Sequence, residues 1–259
     1  MMLGYLLLLA MAGMTVGLLG AFRAPRVWRF ATLAGAVAAF AAAVWILATG
    51  ATWDWQPEFI LGGELVHLRL DGVSAFFLVL LSVLGGVGSV YQQEYWTDKQ
   101  HPVSAPSGRA WWNGFFIGMG LVLLSANGLH FLIAWEIYTV CAYFLITLER
   151  QKREVRQAGW LYLAASHVGT LCLFAFFALL AARTGGWEIG PMRDRTDLAP
   201  LFWLALVGFG LKAGMFPLHI WLPSAHANAP SHVSAVLSGV TIKMGIYGLV
   251  RFSGWLPTP

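Results

Sequence analysis

The sequence predicts an all-α integral membrane protein of about eight transmembrane helices. Hydrophobic residues make up 58% of the 259 positions and charged residues only 11%, where soluble domains carry about 25% charge. The apolar residues are gathered into runs of about 20, the length that crosses the hydrocarbon of a bilayer. Several ionisable residues stand near the middle of such runs, where a soluble core would not hold them in series. The formal charge of +4 is spread over loops with no basic arm, so no nucleic-acid footprint is present. Cys141 and Cys172 both lie inside apolar runs and read as small core residues rather than a redox pair.

The spans fall near 3–22, 28–49, 72–91, 113–127, 129–148, 157–182, 200–222 and 232–252. The first is expected to stay in place, because Arg23, Arg26 and Arg29 follow the apolar run instead of preceding it as in a secretory signal. Between spans two and three, Val66, Leu68 and Leu70 alternate with His67 and Arg69 after the pair Gly62-Gly63. That pattern predicts a hairpin with His67 and Arg69 on its wet face. The polar stretch 92–108 with Pro102 and Pro106 reads as a loop, and Ser125-Ala126-Asn127-Gly128 as a tight turn joining two antiparallel spans. Loop arginines and lysines number nine after spans one, three and five (Arg109 among them) and five on the opposite side, Arg251 included. By the positive-inside rule both termini are expected outside.

Span seven is expected to break near Pro217, which removes a backbone donor five residues after Lys212. Broken helices at membrane depth belong where they face protein or a water-filled cavity. Four ionisable groups lie mid-span: Glu136 in span five, His167 in span six, Lys212 in span seven and Lys243 in span eight. With a rise of 1.5 Å per residue, each sits roughly 10–18 Å from a membrane surface. A single charge at the bilayer centre costs about 2.5–3.5 kcal/mol on insertion scales, so several of both signs predict a hydrated polar axis. A bland alternative holds for His167, one hydrogen bond to a nearby carbonyl. Burial disfavours the charged form of each side chain and a close opposite charge favours it, so Glu136 beside Lys212 would hold the lysine protonated and its withdrawal would release the proton. His219, His226 and His232 stand among Pro217, Pro223 and Pro230. Those prolines argue against paired haem ligands on one helix, and no carboxylate or thiolate clusters there for a metal. The three histidines read as lining a wet access path, or as ordinary polar loop residues.

The run GLKAGMFPLHIWLPSAHANAPSHVSAVLSGVTIKMGIYGLVRF, with SANGLHFLIAWEIYTVCAYFLITLER and LRLDGVSAFF upstream, resembles the antiporter-like membrane subunits of respiratory complex I, Mrp cation/proton antiporters and group 4 hydrogenases. The part with His232 and Lys243 is most similar to the large membrane subunit of hydrogenase-4 and formate hydrogenlyase complexes. The resemblance implies that Glu136 and Lys212 are the family's charge pair, and that Lys243 and the histidines are connecting relay groups. Redox chemistry is then expected in partner subunits, with no cofactor or metal in this chain.

It also implies an organisation: residues 1–112 as three leading helices with the outer hairpin, 113–252 as one five-helix repeat, and 253–259 as an end leading to a second repeat. The chain is expected to be the first half of a longer protein rather than a split subunit. The function so implied is translocation of H⁺ or Na⁺ in a hydrogenase-like or complex I-like oxidoreductase. The expected partners are other membrane subunits and peripheral Fe–S, hydrogenase or dehydrogenase subunits, and the expected place is a bacterial or archaeal plasma membrane. An Mrp-type antiporter component and a non-pumping anchor for redox subunits are the alternatives.

Overall fold

The computed structural model describes residues 2–257. Helices α1 (Met2–Gly20) and α2 (Pro25–Thr49) form an antiparallel pair, and α2 ends at Gly50. Four short strands follow: β1 (Trp53–Trp55), β2 (Ile60–Leu61), β3 (Glu64–Leu65) and β4 (Leu68–Leu70). Then come α3 (Gly72–Tyr95), α4 (Ser104–Leu124), α5 (Gly128–Ile146) and α6 (Arg153–Thr184). After a short 3₁₀ turn, α7 (Leu201–Ala213), α8 (Leu222–Asn228), α9 (Ser231–Val236) and α10 (Ile242–Trp255) complete the chain. A π-helical turn over Leu237–Thr241 joins α9 to α10. Among the described residues six stretches are long and apolar enough to cross a membrane: α1, α2, α3, α5, α6 and the run Ser231–Trp255. The fold is that of an all-α integral membrane protein with one small β element.

Helices occupy all eight predicted positions, but α4 and α7 fall outside the six that are long and apolar enough to span, and three further differences appear in detail. Helix α4 starts at Ser104, nine residues before the predicted span, because Pro106 is tolerated in a first turn where its missing N–H has no partner to lose. Arg109 therefore lies inside α4, not in a loop. It is buried, with Nε donating to the Ala21 carbonyl at 2.8 Å and Nη1 to Asp98 at 2.8 Å. Arg251 likewise lies in α10 and is buried. Setting both aside leaves eight cations in loops or at the ends of helices and strands on one side against four on the other, so the topogenic bias keeps its sign.

The third difference is the break in span seven. It occurs at Gly214, three residues ahead of Pro217. Gly214 has φ 66°, its N–H bonds to the Leu211 carbonyl, and the Met215 N–H reaches back to Gly210. This is the paired-hydrogen-bond stop in which glycine alone takes the left-handed position without strain. The Leu211 carbonyl is further satisfied by the buried indole of Trp221 at 2.8 Å. At 13 residues α7 rises only about 20 Å, and the non-helical segment 214–221 follows.

The predicted hairpin is present, with β2 on β3 around Gly62 and Gly63, both at positive φ, and β1 on β4 in the register Trp53↔Leu70, Asp54↔Arg69, Trp55↔Leu68. His67 departs from the expected wet face. Its side chain is buried, with Nε2 2.6 Å from Asp54 and Nδ1 2.6 Å from Glu188 in the α6–α7 connection. The expected alternation does not carry into burial, with Val66, Leu68 and Arg69 all half-buried, because the far face of the hairpin is covered: the Ala126 N–H donates to the His67 carbonyl, and Gly128 and Trp187 are joined by a further backbone bond. Hairpin, α4–α5 turn and α6–α7 connection thus form one layer on the same side of the bundle.

Candidate functional site: a buried lysine between helices five, six and seven

Lys212 is in the last turn of α7, where the unpaired carbonyls of a helix terminus favour a cation. It is 2% exposed. Its Nζ donates to Thr139 Oγ1 at 2.9 Å, Tyr162 OH at 2.9 Å and Ser166 Oγ at 3.2 Å. Three donors on an ammonium meet three hydroxyl acceptors, so the charged form is fully hydrogen-bonded. The nitrogen also lies over the faces of Tyr138 and Tyr162, 4.8 Å from each centroid, and 5.9 Å from that of Trp135. Ring faces attract a cation most strongly where water is excluded. Helix α5 supplies Thr139, and α6 supplies Tyr162 and Ser166 from one face at i and i+4.

The expected Glu136–Lys212 ion pair is absent. Glu136 lies on α5 one turn before Thr139 and turns to α6 instead, with Oε2 3.5 Å from Nε2 of His167. Its other oxygen, Oε1, is enclosed and has no partner. His167 is half-exposed on the outer flank of α6, and its Nδ1 bonds to the Leu163 carbonyl at 2.9 Å. So His167 takes the bland contact foreseen for it and also meets the carboxylate. Neighbouring positions on two helices carry two polar groups, an inner one around Lys212 and an outer one of Glu136 and His167.

The other candidates disperse. Lys243, half-buried at the start of α10, donates to the Ser238 carbonyl at 2.7 Å, a group within the π turn. His226 meets Ser234 at 2.8 Å. His219 is half-buried with Nδ1 unpaired and its ring 5.7 Å from that of Phe216. His232 is fully buried among the rings of Tyr95, Trp96 and Trp112 with neither nitrogen bonded. The histidines therefore do not share one chamber. Pro217 is exposed in the 214–221 segment. Among the described residues no three His, Cys, Asp or Glu side chains come together as a metal site would need.

Two arrangements had no reading at the level of sequence. The hydroxyl partners of Lys212 look like ordinary span residues, and only the i, i+4 spacing of Tyr162 and Ser166 hints at a shared face. A second is where the start of α3 meets the end of α10, beside the hairpin. Asp71 caps α3 by accepting from the Ser74 N–H, and Arg251 bonds to both its carboxylate oxygens, to Ser74 and to Tyr247. The guanidinium also stacks 4.8 Å above Trp255.

The model of the NADH:quinone oxidoreductase/Mrp antiporter transmembrane family matches residues 125–258, which include α5 to α10 and all of the lysine site. The chain belongs to this family. It is 35% identical over 189 residues to hydrogenase-4 component B of Escherichia coli, covering 71% of this chain and 28% of that one. To NADH-quinone oxidoreductase subunit M of the same organism it is 29% identical over 221 residues, 77% of this chain and 42% of the relative. A chain of the Mrp complex from Dietzia sp. superposes with a TM-score of 0.80 at 26% identity, over 97% of this chain and 28% of that one. The chain thus spans well under half the length of these antiporter-like relatives.

Proposed function

We propose that the chain is the ion-translocating part of an antiporter-like membrane subunit in a hydrogenase-like or complex I-like oxidoreductase, with H⁺ or Na⁺ moved here and electrons transferred in partner subunits. The observation that carries this reading is Lys212: a titratable amine with no counter-charge in contact, fully hydrogen-bonded, at the end of a helix cut short at Gly214. An anchor for redox subunits has no use for so costly a group. Similarity to hydrogenase-4 component B and to subunit M supports the oxidoreductase setting. Glu136 and His167 serve as the outer charge that biases the lysine, Lys243 and the histidines 219, 226 and 232 as further polar stations, and both termini face outside.

The test is proton uptake into vesicles carrying the complete complex, with assembly measured in parallel. Lys212→Met keeps the apolar stem and removes the amine, and is expected to abolish uptake in assembled complexes. Lys212→Arg keeps charge but releases no proton at accessible pH, and is expected to fail equally. Uptake at the wild-type rate in both would refute the relay. The likeness to the Mrp complex favours a second reading, an antiporter component. It predicts uptake driven by an imposed cation gradient without electron donors, which the first does not.

A further inference from the structure

Lys212 and Glu136 are the two groups between which a proton would most simply pass, yet they are out of contact, and what surrounds the lysine instead is a shell of hydroxyls. We infer that Thr139, Tyr162 and Ser166 form a proton-passing cage, with the Thr139 hydroxyl as the link from Lys212 through water to Glu136. This rests on the reading of Lys212 as a relay and assigns positions to which the geometry alone points.

Three features support the cage. The first is its chemistry. A carboxylate partner can only accept, whereas a hydroxyl both donates and accepts. When Lys212 is an ammonium, all three hydroxyls accept from it. When it is a neutral amine with one lone pair and two N–H bonds, one hydroxyl turns to donate to nitrogen and the other two go on accepting. The same three residues therefore satisfy both states without moving the backbone, as a group that cycles between them requires in a site where an unpaired polar atom is costly.

The second feature is adjacency. Thr139 stands one helical turn after Glu136 on α5, and Ser166 immediately precedes His167 on α6. Thr139 is buried, and Glu136 is on the neighbouring flank with a side chain 28% exposed. The third is the orphaned Glu136 Oε1, enclosed and unbonded. Enclosed polar atoms with no protein partner are the usual stations of ordered water. A single water between Oε1 and the cage would complete the path.

The step balances as follows. An N–H bond of Lys212 breaks as its proton passes to Thr139 Oγ1, and the Thr139 O–H gives its own proton to the water. The water in turn protonates Glu136 Oε1. Ammonium and carboxylate become amine and carboxylic acid, the hydroxyl and the water are unchanged, and no other reactant is needed. Tyr162 and Ser166 are positioning residues that keep the amine aimed at Thr139.

The experiment uses the complete complex in vesicles, with uptake expressed per assembled complex and measured in H₂O and D₂O. Thr139→Val keeps shape and removes the hydroxyl, and is expected to lower uptake about a hundredfold or more, the order of effect of losing a positioned proton-transfer group. Thr139→Ser restores the hydroxyl and is expected to recover most of the rate. Tyr162→Phe and Ser166→Ala are expected to lower the rate less and to change the solvent isotope effect, because the amine is then less well held. A packing role for Thr139 would reduce assembly and leave the isotope effect per complex at its wild-type value, and that result overturns the cage. Wild-type uptake in Thr139→Val also overturns it, even if Lys212→Met is inactive. If Thr139→Val does not assemble, Tyr162→Phe and Ser166→Ala decide: wild-type rates and isotope effects in both reject the proposal. Wild-type uptake in Lys212→Met would instead sink the relay reading itself, independently of the cage.

Discussion

The carboxylate of Glu136 meets the imidazole of His167 at 3.5 Å across the outer flank of α5 and α6, while its second oxygen has no partner. A pair so placed contributes little to stability, because partly exposed ion pairs are worth about 0–1 kcal/mol. Its worth lies in the carboxylate it sets beside the lysine cage, a charge that biases the lysine and a base that can take up its proton.

Glu136→Gln is therefore expected to leave the thermal unfolding temperature of the purified protein within a few degrees of wild type, while cutting proton uptake sharply. His167→Ala should be milder in both. A large loss of stability in Glu136→Gln, with transport falling only in proportion, would make the carboxylate structural.

The Asp71–Arg251 contact behaves in the opposite way. Arg251 is buried and bonds to Asp71, Ser74 and Tyr247 together. Removing one partner of such a pair strands the other, at a cost of about 3–5 kcal/mol. Arg251→Met and Asp71→Asn are each expected to lower the unfolding temperature by many degrees. The double variant should lose less than the sum of the two, which a double-mutant cycle measures directly.

Much of this architecture was legible beforehand. Eight apolar runs, the Gly62-Gly63 hairpin and the mid-span charges follow from hydropathy and turn chemistry, which depend on neighbours in sequence. The environment of His67 and the partners of Lys212 are not, since Glu188 stands 121 residues from His67 and the three hydroxyls stand 46 to 73 residues from Lys212. Arg251 was counted as a loop cation because hydropathy cannot tell a snorkelling arginine from one paired across the bundle. The stop at Gly214 was in principle readable from the glycine just after Lys212, but Pro217 drew the prediction three residues downstream.

The outer layer gives a pH prediction. Small burial opposes the charge on Asp54, but hydrogen bonds from Arg69 and His67 hold its carboxyl below the ordinary value of 3.8. A carboxyl held low contributes its stability above the ordinary value and loses it as pH falls through the lowered one. Hydrogen-exchange protection of residues 60–68 is expected to persist at pH 5 and to fall only in stronger acid, below pH 3.8. Asp54→Asn should lower that protection already at pH 5. Equal protection in the variant would show that the hairpin is held by its backbone pairs alone.

Sidedness follows from the same layer. The hairpin, the α4–α5 turn and the α6–α7 connection are joined by hydrogen bonds, so a label at Gly63 and one at Thr196 must react from one side. Cysteines placed at Ser104 and Gln151 are expected to react only from the cytoplasm, and those at Gly63 and Thr196 only from outside. Labelling in the reverse sense would invert the orientation, and labelling of Gly63 and Thr196 from different sides would contradict the layer.

Gly245 on α10 has no room for a methyl group: a Cβ there would lie 2.4 Å from the Ala213 nitrogen and 2.6 Å from the Phe209 carbonyl oxygen, backbone atoms of α7. With main chain against main chain, there is no side-chain padding through which one helix could slide past the other. The stub that carries Lys212 is thereby clamped to the helix that carries Lys243, and the two lysines must ride on a single stiff plank.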